Sequence, residues 1–309
     1  MKKKILITVF GAMVLLSAAV LWESSGDTSQ PGPERAPSST CQAASTAAPT
    51  ETSKSVFSQV DGYVDTYLND GTEYAVFLAY PQQSAECYLH NSHAMRSASM
   101  IKVFILAATM DKVSLGEASL DEVMTLHASD MVGGAGVLAG YGDGAQLPLR
   151  EVLRLMITES DNTATNMVID RIGMDTINKY IKAHGYSDTI LQRKMMDLAA
   201  IDAGRENYSS VKDLGEIFSK IYHHSCVNDS LDSLMLEFLI GQTDTDCFPA
   251  ALPGRTIAHK TGALAGLYDD GGIIYQAKKD MILVIMTENY SGENTAIEHM
   301  KKFAQAVAE

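Results

Sequence analysis

The chain has 309 residues, 46% of them hydrophobic, which is enough for a sizeable core and excludes a wholly disordered protein. A formal net charge of -14 and a sequence pI near 4.9 exclude broad contact with nucleic acid or an anionic membrane surface, because both would repel it. A small molecule or a neutral polymer suits such a protein better as a partner.

At the N-terminus Lys2, Lys3 and Lys4 precede a largely apolar run from Ile5 to Trp22, the pattern of a signal peptide or signal anchor (1–22). Ser17, Ala18 and Ala19 are small enough for a cleavage site, yet the run is also long enough to span a bilayer, so both outcomes stay open. Either way the rest of the chain is expected to be extracytoplasmic, secreted or anchored to the outer face of the cytoplasmic membrane, touching membrane only through this segment. Residues 23–55 are rich in Ser, Thr, Pro, Ala and Gln and poor in bulky apolar side chains, the composition of a disordered tether. Residues 1–55 hold five positive and four negative charges, which leaves a net charge of about -15 on the remainder, so the acidity belongs to the folded part.

Val56, Val60 and Val64 with Tyr63 and Tyr67 recur at helical spacing, and Asn69-Asp70-Gly71 marks the turn after them. Tyr74 to Tyr80 and Glu86 to His90 read as strands, as do Thr256 to Lys260, Gly272 to Tyr275 and Met281 to Thr287 near the other end. A closing helix starts near Asn294, with Ile297, Met300, Ala304 and Val307 on one face. Between the two groups of strands, from Ser99 to about Leu239, the pattern is helical. The distribution predicts an α+β fold over 56–309: an antiparallel sheet with terminal helices from 56–96 and 250–309, and an inserted helical part from 97–249.

Cys41, Cys87, Cys226 and Cys247 in an exported chain permit disulfides in three full pairings. Cys226 with Cys247 is the preferred pair, since they bracket a helical stretch, Asp229 to Leu239, whose end loops would have to meet. No C-x-x-C or clustered Cys/His spacing points to a metal site. His223 and His224 sit at a helix end, where the dipole accounts for them.

Ser99-Met100-Ile101-Lys102 opens a strongly apolar helical stretch, and a spacing of three puts serine and lysine on one face, a turn apart. A serine hydroxyl becomes a good nucleophile when a neighbouring base takes its proton, and a lysine serves as that base only if its pKa falls from about 10.4 towards neutrality. The pattern alone is weak, because about one S-x-x-K is expected by chance in every 250 to 300 residues. Ser209-Ser210-Val211-Lys212 repeats the spacing, and there a helix-capping serine is the better account. Two further tripeptides separate the candidates. Ser160-Asp161-Asn162 lies between the helical stretches Leu149 to Glu159 and Thr163 to Ile172, and Lys260-Thr261-Gly262 sits at the end of a strand.

Together and in this order, the three motifs resemble the signature of class A β-lactamases and penicillin-binding proteins. The resemblance covers most of residues 56–309 and includes Arg96-Ser97-Ala98 before Ser99, Gly133-Gly134-Ala135-Gly136-Val137, Leu155-Met156-Ile157, and Thr163-Ala164-Thr165-Asn166. It implies the β-lactamase/transpeptidase-like fold, with a five-stranded antiparallel sheet, terminal helices and an inserted all-helical subdomain. It also implies the roles. Ser99 forms the acyl-enzyme, Lys102 acts as or assists its base, and Ser160 relays a proton to the leaving amine. Asn162 holds the substrate's side-chain amide and orients Lys102; Lys260 attracts the substrate carboxylate and lowers the pKa of Lys102. Thr261 and Gly262 belong to the same substrate-binding motif, Thr261 hydrogen-bonding the carboxylate, and the backbone N–H groups of Ser99 and Ala263 form the oxyanion hole.

One departure stands out. Class A β-lactamases activate the deacylating water with a loop glutamate, whereas the matching segment here, Leu191-Gln192-Arg193-Lys194-Met195-Met196-Asp197, places Met195 at that position. A thioether cannot take a proton from water. Asp197 is the nearest carboxylate, offset by about 200 degrees on a helical turn. Glu206 is expected to pair with Arg193, and Asp269-Asp270-Gly271-Gly272 to form a turn between strands. The expected activity is a β-lactam-opening serine hydrolase with slow deacylation. A D,D-peptidase acting on cell-wall peptides of the D-Ala-D-Ala type is the alternative, and a non-catalytic β-lactam or muropeptide sensor is the reading from another class. No cofactor is implied, and a monomer is expected.

Overall fold

The computed structural model describes residues 42–43 and 56–309. The signal segment, most of the tether and Cys41 lie outside the described residues. The chain runs β1 (Gln42–Ala43), α1 (Val60–Tyr67), β2 (Glu73–Ala79), β3 (Glu86–His90) and β4 (Met95–Arg96), then α2 (Ile101–Ser114), β5 (Val123–Thr125) and β6 (Gln146–Pro148). Four helices follow, α3 (Leu149–Thr158), α4 (Asn162–Ile172), α5 (Met174–Ala183) and α6 (Leu198–Asp202), before β7 (Tyr208–Ser209). After α7 (Val211–Tyr222), α8 (Asp229–Ile240) and α9 (Phe248–Ala251), the chain returns to the sheet as β8 (Ile257–Leu264), β9 (Leu267–Ile274) and β10 (Met281–Glu288), and ends in α10 (Glu293–Ala308).

The main sheet has the order β1-β3-β2-β10-β9-β8. Its five long strands are antiparallel, as the pattern predicts, and β1, drawn from within the stretch assigned to the tether, adds a short parallel edge beside β3. Strand alternation sorts its side chains into two cores. Ala75, Phe77 and Ala79 of β2 face the helical part, with Val284 and Met286 of β10. Val76 and Leu78 face the other way, with Leu283 and Ile285, under α1 and α10. Both faces are covered, which is why β2 and β10 are apolar almost throughout. In the helical part α2 is buried on every side from Ile101 to Met110, so a charged residue in it has no route to water.

Two expectations fail here. Asp269-Asp270-Gly271-Gly272 is not a turn but the interior of β9, in register with Thr261 and Lys260 of β8 and with Val284 and Leu283 of β10. The residues that mimic a turn signal meet tertiary demands. A Cβ on Gly272 would lie 2.2 Å from the Ala258 carbonyl oxygen, and the Asp269 carboxylate accepts the Thr287 amide at 2.9 Å. Nor do Cys226 and Cys247 pair: both carry free thiols, one in the helical core and the other beneath the opposite face of the sheet. In the second S-x-x-K the capping serine is Ser210, which accepts the Asp213 amide at 3.2 Å at the start of α7, while the motif serine Ser209 meets Thr189 Oγ1 at 2.9 Å and Lys212 points at Glu216.

Helix α7 lies against β2 through Gly215, where an added Cβ would sit 2.3 Å from the ring of Phe77. Gly215→Ala should therefore lower stability by about 1–3 kcal/mol, the usual penalty of overpacking, read as a lower midpoint in urea unfolding. A midpoint at or above that of the parent protein would show that this contact can relax.

Candidate active site

Ser99 sits half-buried in a 3-10 turn, Ala98–Met100, that leads into the N-terminus of α2. The positive end of that helix favours developing negative charge on its oxygen. The preceding Ala98 is held at φ +41°, a left-handed conformation that is costly for a residue with a side chain. Close packing imposes it: a Cβ on Gly262 of β8 would come within 3.2 Å of the Ala98 Cβ and the Ser97 carbonyl. Glycine at 262 lets the edge strand approach the turn, which brings the exposed Ala263 alongside Ser99.

One turn into α2, Lys102 is fully buried. Its Nζ lies 2.5 Å from the Ser160 carbonyl oxygen, 2.9 Å from Asn162 Oδ1 and 3.2 Å from Ser160 Oγ. Lys260, also fully buried, reaches the same hydroxyl from β8: its Nζ donates to Ser160 Oγ at 3.0 Å and to the Thr261 carbonyl at 2.7 Å. Two ammonium groups thus converge on one serine in a site shielded from water. Burial first, and the neighbouring Lys260 second, push the Lys102 pKa far below its ordinary value. Burial also lowers Lys260, to about 7, against the opposing pull of Asp244 and Asp270. Lys102, with a second ammonium as its neighbour, is biased toward the neutral amine. As a neutral amine it donates to the Ser160 carbonyl and to Asn162, and its lone pair is left to accept a proton.

Asp161 builds the frame around this pair. It caps α4 by accepting the Ala164 amide at 2.8 Å, and its other oxygen takes the Val137 and Leu138 amides at 2.7 Å each, clasping the 133–138 loop. Gly136 wraps so closely that a Cβ would fall 2.3 Å from that carboxyl group. Ser160 itself is strained at φ +50°. Asn162 orients Lys102, as the resemblance implies, while its Nδ2 donates to the Gly133 carbonyl at 3.1 Å in this structure.

The loop bearing Met195 is tied down from both sides. Asn166 on α4 accepts the Met195 amide at 2.8 Å and donates to its carbonyl at 3.0 Å, which turns the buried thioether toward the helical core. Asp197 is spent as the cap of α6, accepting the Ala200 amide at 3.0 Å. Arg193 and Glu206 form the expected ion pair, and Asn207 accepts the Gln192 and Arg193 amides to close the loop. Among the described residues no cluster of His, Cys, Asp and Glu could hold a metal ion. Sequence reasoning missed Asp244 and Asp270 as groups whose charge bears on Lys260, because neither belongs to a motif and only the fold brings them near it.

A family model described as the beta-lactamase enzyme family matches residues 56–309. A beta-lactamase from Sphaerobacter thermophilus DSM 20745 superposes with a TM-score of 0.75 at 27% identity, over 82% of this chain and 98% of that one. A mutant of PBP-A, solved as an acyl-enzyme complex with penicillin G, superposes with a TM-score of 0.73 at 25% identity, over 82% and 94%. The extended-spectrum beta-lactamase PER-1 of Pseudomonas aeruginosa is 22% identical over 171 residues, 53% of this chain and 56% of PER-1. The chain spans about half the length of the first curated relatives it matches.

An unfolded chain keeps its lysines near pKa 10.4, so the lowered values in the fold oppose stability. The opposition is fully present below the folded midpoints and fades as pH rises towards about 10.4. Titrating the lysine ζ-nitrogens by NMR should place Lys260 at about 7 and Lys102 well below the ordinary lysine range. Midpoints near 10 for both would refute the arrangement.

Proposed function

From the chain's membership of the beta-lactamase enzyme family, we propose that it is an active-site-serine hydrolase that opens β-lactam rings through an acyl-Ser99 intermediate released slowly. The observation that carries this is the continuous chain from Lys102 through Ser160 to Lys260 beside Ser99. In acylation the neutral Lys102 amine takes the Ser99 hydroxyl proton, Oγ bonds to the carbonyl carbon, and the developing oxyanion lies between the Ser99 and Ala263 amides. As the carbon–nitrogen bond breaks, Ser160 passes its own proton to the departing nitrogen and recovers one from Lys102. Lys260 and Thr261 receive the substrate carboxylate, and the anion in turn favours the charged form of Lys260.

Deacylation lacks a comparable base. Met195 offers a thioether, and Asp197 is engaged as a helix cap. The same observation favours a second reading, a D,D-peptidase of the penicillin-binding type acting on cell-wall peptide ends, for which a persistent β-lactam adduct is the ordinary outcome. The PBP-A mutant trapped with penicillin G is a relative consistent with either. Retention of both buried lysines, each costly to bury, argues against a sensor that uses the pocket only for binding. The basic and apolar N-terminus supports an extracytoplasmic setting, where both substrate classes are met.

Acyl-enzyme mass spectrometry over time tests the proposal. Penicillin should label Ser99 in a stoichiometric burst followed by slow release, and Ser99→Ala should abolish labelling. Many turnovers of a chromogenic cephalosporin would sink the peptidase reading, and an adduct that never clears would sink the hydrolase one. Met195→Glu should speed release by about 10²-fold or more, the usual worth of a positioned general base. An unchanged release rate would mean that position 195 does not face the acyl bond.

A further inference from the structure

The loop that carries Met195 also brings Met196 to the site, and the two side chains diverge there. Met195 is buried in the helical core, whereas Met196 is 43% exposed. The backbone fixes this divergence. Asn166 holds the Met195 amide and carbonyl at 2.8 and 3.0 Å, and the Met196 carbonyl accepts the Leu198 amide at 3.0 Å. Asp197 then caps α6 by accepting the Ala200 amide at 3.0 Å. Between these ties Met196 sits at φ +60°, a left-handed conformation that few residues with side chains adopt. Strain of this kind persists only where the surroundings hold it, and it gathers at functional positions.

What the thioether meets is Asn162. A Cβ placed on Gly134 would lie 2.6 Å from Asn162 Nδ2, 3.2 Å from Met196 Sδ and 3.8 Å from Met196 Cε, so sulfur and amide nitrogen are neighbours across the bare face of that glycine. Lys102 donates to Asn162 Oδ1 at 2.9 Å, which turns the oxygen toward Lys102 and Nδ2 toward the loops. The Nδ2 group has two hydrogens. The Gly133 carbonyl takes one at 3.1 Å, and among the described residues the other has no acceptor. A donor able to bind a carbonyl oxygen therefore stands beside an exposed apolar group, on the same residue that orients Lys102.

That combination suits an amide with an apolar substituent. The amide oxygen accepts from Nδ2, and the chain or ring beyond it rests on the thioether, out of water. Methionine fits the task through adaptability: three rotatable bonds and a polarizable sulfur let it pack on rings of different shape, with favourable contact at a ring edge. We propose that Met196 is a specificity-determining residue, its thioether forming an apolar wall that selects β-lactams whose acylamino side chain ends in an aromatic or aliphatic group. This role rests on acylation of Ser99 by β-lactams, the reading given under Proposed function. A merely structural methionine would hold the loop without telling one substituent from another.

The test compares acylation of the whole protein by two compounds with the same ring system, benzylpenicillin and aminopenicillanic acid, which lacks the acyl group. Mass spectrometry gives the second-order rate of Ser99 labelling for each, and the ratio of the two rates is the readout. Met196→Asn and Met196→Gly remove the thioether while suiting the left-handed backbone, so both should fold, with urea midpoints close to that of the parent protein. Each should lower the ratio by about threefold to tenfold, the usual worth of a sulfur–ring contact. Met196→Leu, apolar and under the same backbone strain, should keep most of it. A ratio unmoved in the Asn and Gly variants, or lowered equally in Met196→Leu, would overturn the proposal. If neither compound labels the parent protein, the β-lactam reading fails and this role with it; labelling of the parent with an unmoved ratio removes the role of Met196 alone.

Discussion

Two buried lysines reaching one serine hydroxyl are the constraint around which the rest of the site is arranged. Like charges in a shielded pocket repel strongly, and neither ammonium can recover its hydration, so one proton must leave. The asymmetry of the surroundings decides which. Lys102 is enclosed by a helix that is apolar all round, with Lys260 as its nearest charged neighbour. Lys260 has the carboxylates of Asp244 and Asp270 behind it. A base and a cation thus arise from the same residue type, separated by environment alone.

Holding that asymmetry requires close approach, and close approach explains the glycines and strained residues around Ser99. Gly262 admits the edge strand against the Ser97–Ala98 turn, and Gly136 lets the 133–138 loop fold over the Asp161 carboxylate. The positive φ angles at Ala98 and Ser160 are the backbone consequence, tolerated because packing and hydrogen bonds on every side over-determine them. Asp161 joins three segments at once, the cap of α4, the cleft loop and the turn carrying Ser160. Its worth is geometric: it fixes where the Ser160 hydroxyl stands between the two amines.

The loop after α5 is held with equal care but to a different end. Asn166, Asn207, Arg193 and Glu206 fix its backbone, so the replacement at Met195 is not the by-product of a loose segment. That loop carries a thioether, turned toward the helical core, at the position matching the loop glutamate of class A β-lactamases. In the proposed cycle the groups assigned to forming the acyl bond gather around Ser160, and its release is the slow step.

The sequence by itself determined which three motifs would come together, because S-x-x-K, S-D-N and K-T-G encode local geometry: one helical turn, a capped inter-helix loop and a strand. It determined β2 as well, since the unbroken apolar run Tyr74–Tyr80 suits a strand covered on both faces. Ser209 shows the limit of the same local logic, since at the identical spacing to Lys212 its hydroxyl meets Thr189 in the core and its neighbour Ser210 caps the helix. Asp269-Asp270-Gly271-Gly272 shows it more sharply. Aspartate and glycine signal a turn when read locally, but here the carboxylates meet the Thr287 and Phe248 amides and the glycines make room for neighbouring strands. The pairing of Cys226 with Cys247 fails for the same reason, because the two ends of one helical stretch were placed in different cores. Only the tertiary structure decided how the surroundings of the two lysines differ, since burial and the charges that act on each depend on partners brought in from distant segments.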